Sequence, residues 1–194
     1  LVPSDQLAMA GGCALNGVAN ARILRETPFT SQYLQAASSD DGTCLGAAYY
    51  TWHQVLGEKE RFHMQHAFWG PEYSDDHMRR VAEESGLLFK ACEDNNDLVE
   101  IAASFIADGL VTGWYQGRSE WGPRALGNRS ILANPALPTM RDTINHKIKR
   151  RESFRPFAPS VLREDVADYF EQDVYSPFMM HVVKIRPEWR DRLP

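Results

Sequence analysis

The amino-acid sequence predicts an α/β protein, because runs typical of buried strands alternate with runs typical of amphipathic helices. An apolar run at 6–10 ends in Gly11-Gly12 and is followed by a helical pattern over 17–25. The same alternation returns further along, where apolar residues at helical spacing over 97–107 precede an apolar run over 110–115. The N-terminal part therefore has the form of an α/β unit that lacks its beginning.

Residues with capping or breaking chemistry mark the boundaries of the other elements. Asn16 suits the start of the helix at 17–25, Ser74 caps a helix that Gly86 ends, and Thr139 caps a third helix. Gly and Pro punctuation and mixed charges indicate a linker at 57–73. One further helix is expected to run from the acidic turn at 38–42 to about residue 56, and another over 165–170. The remaining strands are expected at 33–36, 87–91, 157–162 and 178–185, and a loop is expected at 117–130.

The composition is that of an ordinary globular protein. Hydrophobic residues make up 43% and charged residues 24% of the 194 residues, which argues against disorder. No apolar run approaches the roughly 20 residues of a membrane helix, and the N-terminus lacks the pattern of a signal peptide. Cys13, Cys44 and Cys92 are widely spaced and never form a CxxC pair. This spacing argues against a disulfide framework or a zinc site and predicts a reducing, cytoplasmic location without a membrane partner.

The net charge of −5 hides a local basic segment. Between Gly117 and Arg155 there are nine Lys or Arg residues and three acids, so this segment carries +6 and the rest of the chain −11. A basic patch on an acidic protein indicates a bound anion more than general affinity for nucleic acid. A solvated helical face is the alternative, but these arginines alternate with Gly, Pro and aromatic residues.

The loop at 117–130 is the first candidate anion site. It contains three arginines and three glycines: Gly117, Arg118, Gly122, Arg124, Gly127 and Arg129. Glycine lets backbone N–H groups approach an oxyanion, and the arginine fork binds phosphate through two hydrogen bonds. The loop lacks the ending of a Walker A motif. It predicts a phosphate or carboxylate site, or else a structural loop whose arginines pair with acids elsewhere in the chain.

A second basic stretch covers 145–160. Lys147 and Arg151 are four residues apart and would share one stripe of a helix, and Arg155 and Ser160 follow in an extended turn. Such an arrangement can surround a triphosphate. Because Phe154 and Phe157 are interleaved with the basic residues, RNA or nucleotide binding without catalysis is the alternative function.

Four motifs stand out, and they read AGGCALNGVANARIL at 10–24, SSDDGTCLGAA at 38–48, GRSEWGPRALGNRSILANP at 117–135 and NHKIKRRESFRPFAPSVL at 145–162. Together they resemble a known family, the carbamoyltransferases of nodulation and antibiotic tailoring. Since the chain begins at Leu1 without an initiator Met and stops at Pro194, we expect a piece of a longer protein.

The resemblance implies a fold for each part. Residues 1–56 would be the end of an actin/Hsp70-like ATPase domain, 57–73 a linker, and 74–194 a YrdC-like domain with an open, twisted sheet. It also implies a reaction in two steps. Carbamoyl phosphate and ATP give carbamoyl-adenylate, and the carbamoyl group then passes to a hydroxyl group of a small-molecule acceptor.

The resemblance assigns roles to individual residues. Those suited to holding carbamoyl phosphate and the phosphates of ATP during catalysis are Arg124, Arg129, Lys147, Arg151, Arg155 and Ser160. Those implied to bind the nucleotide are Gly11, Gly12, Asn16, Arg118 and Asn128. Judged from the residues alone, Gly11-Gly12 would be a tight turn and Asp40 a helix cap.

Asp40 matches the family's metal-binding aspartate. The family's other two metal ligands are histidines that lie outside this sequence, so the resemblance implies a divalent metal, with iron as one identity, in the longer protein. Mg²⁺ would accompany ATP. With one metal ligand we expect the chain not to complete the whole reaction by itself. An unpaired sheet edge in the N-terminal part makes a homodimer a further expectation.

Overall fold

The computed structural model describes residues 3–193, so Leu1, Val2 and Pro194 lie outside the described residues. The α-helices in this range are α1 (Gly17–Glu26), α2 (Thr43–Tyr50), α3 (Asp75–Glu84), α4 (Asn95–Ala107), α5 (Met140–Thr143) and α6 (Val166–Tyr169). The strands are β1 (Gln6–Met9), β2 (Ser31–Leu34), β3 (Thr112–Tyr115) and β4 (Arg129–Leu132). The predicted α/β class is confirmed. None of these helices is both long and apolar enough to span a bilayer.

The N-terminal part is a β1–α1–β2 unit. β1 and β2 are parallel, with Gln6 opposite Ser31 and Met9 opposite Leu34. Parallel neighbours need a crossover connection, and α1 supplies it. The helix begins where expected, because Oδ1 of Asn16 accepts a hydrogen bond from the amide of Ala19 at 3.1 Å.

The C-terminal part contains an antiparallel pair, β3 and β4, with Thr112 opposite Leu132 and Tyr115 opposite Arg129. The sequence predicted β3 but left residues 129–132 next to or inside a loop, so β4 was missed. Within residues 3–193 the two sheets have two strands each, and the expected open sheet of several strands is not formed. The YrdC-like and actin-like assignments and the domain boundaries remain predictions.

Three predicted strands are wrong, each for a local physical reason. Residues 87–91 pair with no other strand in the described part of the chain, and Leu87, Leu88 and Phe89 are exposed. The segment 157–162 follows Pro156 and contains Pro159, and proline has no backbone N–H to donate to a neighbouring strand. The segment 178–185 contains Met179 at φ 55°, a left-handed conformation that interrupts an extended chain. A single bridge between Phe170 and Ile185 is the only pairing that the described part of this segment makes.

Two helices end in wider π-type turns. α2 continues through such a turn over Thr51–Val55, and α5 continues through Ile144–Lys149. Arg150 then adopts a left-handed conformation with φ 49° and ends the helix. The expected stripe joining Lys147 and Arg151 on one helix is therefore wrong, because Arg151 lies beyond the helix end.

The hydrophobic core joins three distant parts of the chain. Its buried members are Ala14, Leu34, Ala36, Met64, Ala67, Phe178 and Met180. They come from the β1–α1–β2 unit, from the 57–73 segment and from the segment after α6. This shared core holds the N-terminal unit against the 57–73 segment and the segment after α6.

Candidate functional site

Four arginines line one cavity of about 580 Å³, which we call the arginine cavity. Arg124 comes from the loop at 117–130, which we call the glycine-rich loop. Arg151 and Arg155 come from the second basic stretch at 145–160, and Arg163 was not predicted. Apolar residues such as Phe157 form other parts of its wall. The structure thus brings three of the six predicted catalytic residues together, although they are spread over 124–155.

Arg124 and Arg151 are held by neutral groups. Nη2 of Arg124 donates to the carbonyl of Leu15 at 3.3 Å, and its Nε is buried without a hydrogen-bond partner among residues 3–193. Nε of Arg151 donates to Oδ1 of Asn145 at 2.7 Å, and its guanidinium carbon lies 4.7 Å from the centre of the Phe157 ring. Neutral acceptors orient a guanidinium without neutralising it. Both charges therefore remain available to an anion.

Arg155 and Arg163 have acidic neighbours outside the cavity wall. Nη1 of Arg155 lies 3.8 Å from Oε2 of Glu152, and Nη1 of Arg163 lies 2.5 Å from Oδ1 of Asp173. Both pairs are about half exposed, so water screens them. Among residues 3–193, no Asp or Glu lines the cavity. The cavity is therefore positively charged and suited to a polyanion.

His181 and Ser176 also line the arginine cavity. Nδ1 of His181 lies 3.0 Å from Oγ of Ser176, and Nε2 lies 3.1 Å from Oε1 of Gln32 in β2. Because an amide oxygen only accepts, Nε2 carries the proton, and Nδ1 accepts from the serine hydroxyl. Burial lowers the pKa of His181, so the ring is neutral near pH 7.

The glycine-rich loop already contains its own anion. Oε1 of Glu120 accepts hydrogen bonds from the amides of Leu126, Asn128 and Arg129 at 2.9, 2.9 and 3.0 Å. Burial alone would raise the pKa of Glu120, but the backbone donors outweigh it and lower the pKa. The sequence suggested that backbone amides of this loop approach a ligand oxyanion, or that the loop is structural. In the structure these three amides bind an internal carboxylate, and Arg124 is the residue that the loop contributes to the arginine cavity.

The loop docks closely on the rest of the chain. At Gly122, where φ is 103°, a β-carbon would lie 2.6 Å from the carbonyl oxygen of Ala36. The amide of Gly70 donates to the carbonyl of Ser119, and the amide of Ser119 donates to the carbonyl of Pro71, both at 2.9 Å. Only a residue without a side chain fits at Gly122. These contacts fix the loop between the N-terminal unit and the 57–73 segment.

Three predicted catalytic residues lie outside the arginine cavity. Arg129 is exposed on β4, with its guanidinium carbon 5.2 Å from the centre of the Tyr115 ring. Lys147 is exposed on the π-type turn that ends the helix. Ser160 is exposed between cavity-lining neighbours but does not line the cavity. The structure does not bring them to the other three.

Two predicted nucleotide-binding residues are used inside the glycine-rich loop. Nδ2 of Asn128 donates to the carbonyl of Arg118 at 2.7 Å, which closes the loop. Nη2 of Arg118 lies 3.4 Å from the carbonyl of Trp69, and the side chain is exposed. Neither residue lines the arginine cavity.

Gly11 and Asp40 line a second cavity of about 290 Å³, beside Ser38, Ser39 and Tyr49. The amide of Gly11 donates to the carbonyl of Ser38 at 2.5 Å, so it is not free for a nucleotide. Gly12 and Asn16 do not line this cavity. Asp40 is exposed, and no group of three His, Cys, Asp or Glu residues is clustered anywhere in 3–193. These residues alone do not form a complete metal site.

Sequence reasoning missed Glu120 and His181. Glu120 was counted as one acid in a basic segment. An acid flanked by Gly and small polar residues can, however, accept hydrogen bonds from several converging backbone amides, an arrangement called a nest. His181 carried no motif signal. Its partner Gln32 is 149 residues away in the sequence, and only the folded chain brings them together.

Family models match both ends of the chain. One describes the carbamoyltransferase N-terminus and covers residues 2–49, and the other describes the carbamoyltransferase C-terminus and covers 103–194. Together they account for most of the sequence. The chain belongs to the carbamoyltransferase family. The resemblance drawn from the four motifs is thereby confirmed, and the arginine cavity is lined by residues of both matched regions.

Individual carbamoyltransferase-family relatives align with almost the whole chain. The chain is 45% identical to uncharacterized protein sll1178 of Synechocystis sp., over 96% of this chain and 31% of the relative. It is 42% identical to nodulation protein NolNO of Sinorhizobium fredii, over 97% of this chain and 28% of the relative. It is 34% identical to 3'-hydroxymethylcephem-O-carbamoyltransferase of Streptomyces clavuligerus, over 94% of this chain and 33% of the relative. The chain spans about a third of the length of these relatives.

Proposed function

We propose that this chain is part of an ATP-dependent O-carbamoyltransferase, and that the arginine cavity holds phosphate groups of carbamoyl phosphate and ATP. In the first step water releases inorganic phosphate from carbamoyl phosphate, and the resulting carbamate attacks the α-phosphate of ATP, which gives carbamoyl-adenylate and pyrophosphate. In the second step the carbamoyl group passes to a hydroxyl group of a small-molecule acceptor. The setting we propose is cytoplasmic, since Cys13, Cys44 and Cys92 are free thiols, as a reducing compartment would keep them.

The observation that carries this proposal is a cavity wall on which the described part of the chain places four arginines and no Asp or Glu. The volume of about 580 Å³ lies within the usual range for small-molecule sites. Neutral acceptors hold Arg124 and Arg151, so these two charges are not cancelled within the protein. Family membership supports carbamoyl transfer as the chemistry that such an anion site serves.

The arginines would act through charge and position. Guanidinium groups fixed before the ligand arrives stabilise the negative charge that builds up on phosphate oxygens as pyrophosphate leaves. Arg124 and Arg151 approach from two different segments, so they can hold a polyphosphate from two sides. Arg129, Lys147 and Ser160 lie outside the cavity and have no role in this proposal.

A divalent metal needs ligands that residues 3–193 do not supply together. Asp40 would contribute one carboxylate, whereas protein sites for such ions use three or more ligands. No step is therefore assigned to a metal held by these residues. Mg²⁺ would arrive with ATP and neutralise part of its phosphate charge.

The acceptor we propose is a small molecule with a free hydroxyl group. The Streptomyces clavuligerus relative is named for O-carbamoylation of a 3'-hydroxymethylcephem, which carries such a group. A hydroxyl oxygen attacking the carbamoyl carbon expels AMP from carbamoyl-adenylate and leaves an O-carbamate. The cavity wall offers no pattern that selects one acceptor.

The proposal is tested by following the two steps separately. The chain is incubated with ATP, magnesium and labelled carbamoyl phosphate, and pyrophosphate and label are measured independently. We expect ATP and carbamoyl phosphate to bind, pyrophosphate to be released slowly, and no acceptor to be labelled. Label on an acceptor hydroxyl would mean that the transfer step needs only this chain. Absence of any binding to folded protein would reject the proposed function.

A further inference from the structure

We propose that Glu120 is a positioning residue, whose carboxylate serves as a built-in anion that holds the glycine-rich loop in the shape presenting Arg124 to the arginine cavity. The part of this inference that concerns ligand affinity rests on the proposed function. The part that concerns the loop itself does not. The role belongs to Glu120 through its contacts with backbone, and it touches no substrate.

One carboxylate oxygen organises the whole loop. Oε1 of Glu120 accepts from three amides within four residues, those of Leu126, Asn128 and Arg129, at 2.9 to 3.0 Å. Successive amides converging on one point form a nest, which normally binds a free anion. Gly127, with φ 112°, allows the chain to turn so that these amides converge. The nest of this loop is filled by the protein itself.

The contact closes a ring that contains Arg124. Glu120 and Leu126 are six residues apart and are joined by the hydrogen bond from the Leu126 amide to the Glu120 carboxylate. Residues 121–125 therefore form a loop that this hydrogen bond closes. Gly122 lies against Ala36 at one side of this loop. At its other side Arg124 reaches the carbonyl of Leu15. Removing the carboxylate would open the ring and release the segment that positions Arg124.

A carboxylate is suited to this task because the loop is strongly basic. Arg118, Arg124 and Arg129 all lie within ten residues of Glu120. Burial opposes ionisation of Glu120, but the backbone amide donors outweigh it and lower the pKa, so the anchor stays charged at neutral pH. An amide side chain at this position would keep one acceptor oxygen but lose the charge that strengthens each of these hydrogen bonds.

The test removes the Glu120 carboxylate by substitution and then supplies a free carboxylate in solution. Glu120→Ala removes the atoms of an acetate ion, so added acetate can refill the nest, whereas neutral acetamide lacks the charge. Glu120→Gln serves as a second variant that keeps the side-chain volume. Glu188→Ala removes an exposed acid that lines neither cavity and is the matched control. Circular dichroism establishes that each variant is folded.

Two readouts are measured on the full chain. Hydrogen exchange by NMR reports protection of the amides of Leu126, Asn128 and Arg129, and calorimetry reports affinity for inorganic pyrophosphate. In Glu120→Ala we expect loss of protection and roughly tenfold or greater loss of affinity, because charge-assisted bonds are lost. Acetate should restore both, and acetamide neither. Glu120→Gln should give intermediate values, and Glu188→Ala values like those of the unsubstituted chain.

Several results would overturn the inference. Unchanged amide protection in Glu120→Ala would show that the carboxylate does not hold the nest. Lost protection with unchanged pyrophosphate affinity would show that the nest does not position Arg124. Glu120→Gln matching the unsubstituted chain, or rescue by acetamide, would show that charge is not needed. If no protein binds pyrophosphate, the proposed function fails, and the exchange data still decide whether Glu120 anchors the loop.

Discussion

His181 and Gln32 lie 149 residues apart in the sequence, yet Nε2 of the histidine is 3.1 Å from Oε1 of the glutamine. Gln32 belongs to β2, and His181 lines the arginine cavity. The bond therefore ties the wall of the cavity to the N-terminal sheet. Asn20 makes a second tie of this kind, since its Nδ2 donates to the carbonyl of Met180 at 2.8 Å.

His181 should make the stability of the chain depend on pH. Burial lowers its pKa in the folded state, whereas in the unfolded state the pKa is about 6.5. The unfolded state therefore binds more protons once the pH falls below about 6.5, and stability decreases until the pH passes below the folded-state pKa. Urea unfolding between pH 8 and pH 5 measures this loss.

His181→Asn is the control for this pH dependence. The asparagine cannot titrate, but its amide can occupy the position of Nδ1 next to Ser176. We expect a smaller decrease of stability over the same pH interval than in the unsubstituted chain. An equal decrease in both proteins would assign the effect to other groups.

Asn20 should be one of the residues that contribute most to stability. It is fully buried, and its Nδ2 donates to the carbonyls of Ala14 and Met180 at 2.8 Å each. Asn20→Ala leaves two buried carbonyls without a donor, which costs about 2–4 kcal/mol of unfolding free energy. The exposed Asn96→Ala should change stability by about 0.5 kcal/mol or less. Chemical denaturation of both variants measures the difference, and similar values would contradict the role of Asn20.

Local patterns in the sequence predicted the elements that have clear local signals. Helix α1 starts at the Asn16 cap and α4 covers the predicted apolar repeat, because capping and amphipathic spacing act within a few residues. The failed strands at 157–162 and 178–185 were read from apolar content alone. Their apolar residues contribute to the cavity wall and to the core. These contacts do not require the alternation of buried and exposed residues that marks a strand.

Gly122 should tolerate no larger residue. Its φ of 103° disfavours a side chain, and a β-carbon would lie 2.6 Å from the carbonyl oxygen of Ala36. We expect Gly122→Ala to cost about 1–3 kcal/mol of stability. Gly46 lies in α2, where a β-carbon would meet no atom within 4 Å, so Gly46→Ala should be neutral or stabilising by up to about 1 kcal/mol. Thermal unfolding of the pair tests this contrast, which equal losses would refute.

Salt dependence separates a small-anion site from an RNA groove. A groove with 6–10 phosphate contacts loses roughly 10³–10⁵ in affinity between about 50 and 200 mM salt. A single cavity lined by four arginines should change its affinity for ATP by much less, about tenfold. Calorimetry at the two salt concentrations, with ATP and with a short single-stranded RNA, gives the comparison. Tight, steeply salt-dependent RNA binding that ATP does not displace would favour the RNA-binding alternative.

The candidate site was predictable in its charge but not in its arrangement. The basic segment pointed to an anion, and Arg124, Arg151 and Arg155 do share a cavity. The spacing of Lys147 and Arg151 suggested one helical stripe, but the left-handed Arg150 separates them. Glu120 shows the same limit, since its three amide partners become neighbours only after the loop turns at Gly127.

The most direct test of the arginine cavity as a phosphate site is calorimetric titration of ATP into three variants and the unsubstituted chain. Arg124→Ala and Arg151→Ala each remove an uncompensated charge from the cavity, and Arg79→Ala removes an exposed arginine that does not line it. We expect roughly ten- to hundredfold weaker binding for the first two and no change for the third. Unchanged affinity in both cavity variants, or an equal loss in Arg79→Ala, would contradict a phosphate site in this cavity.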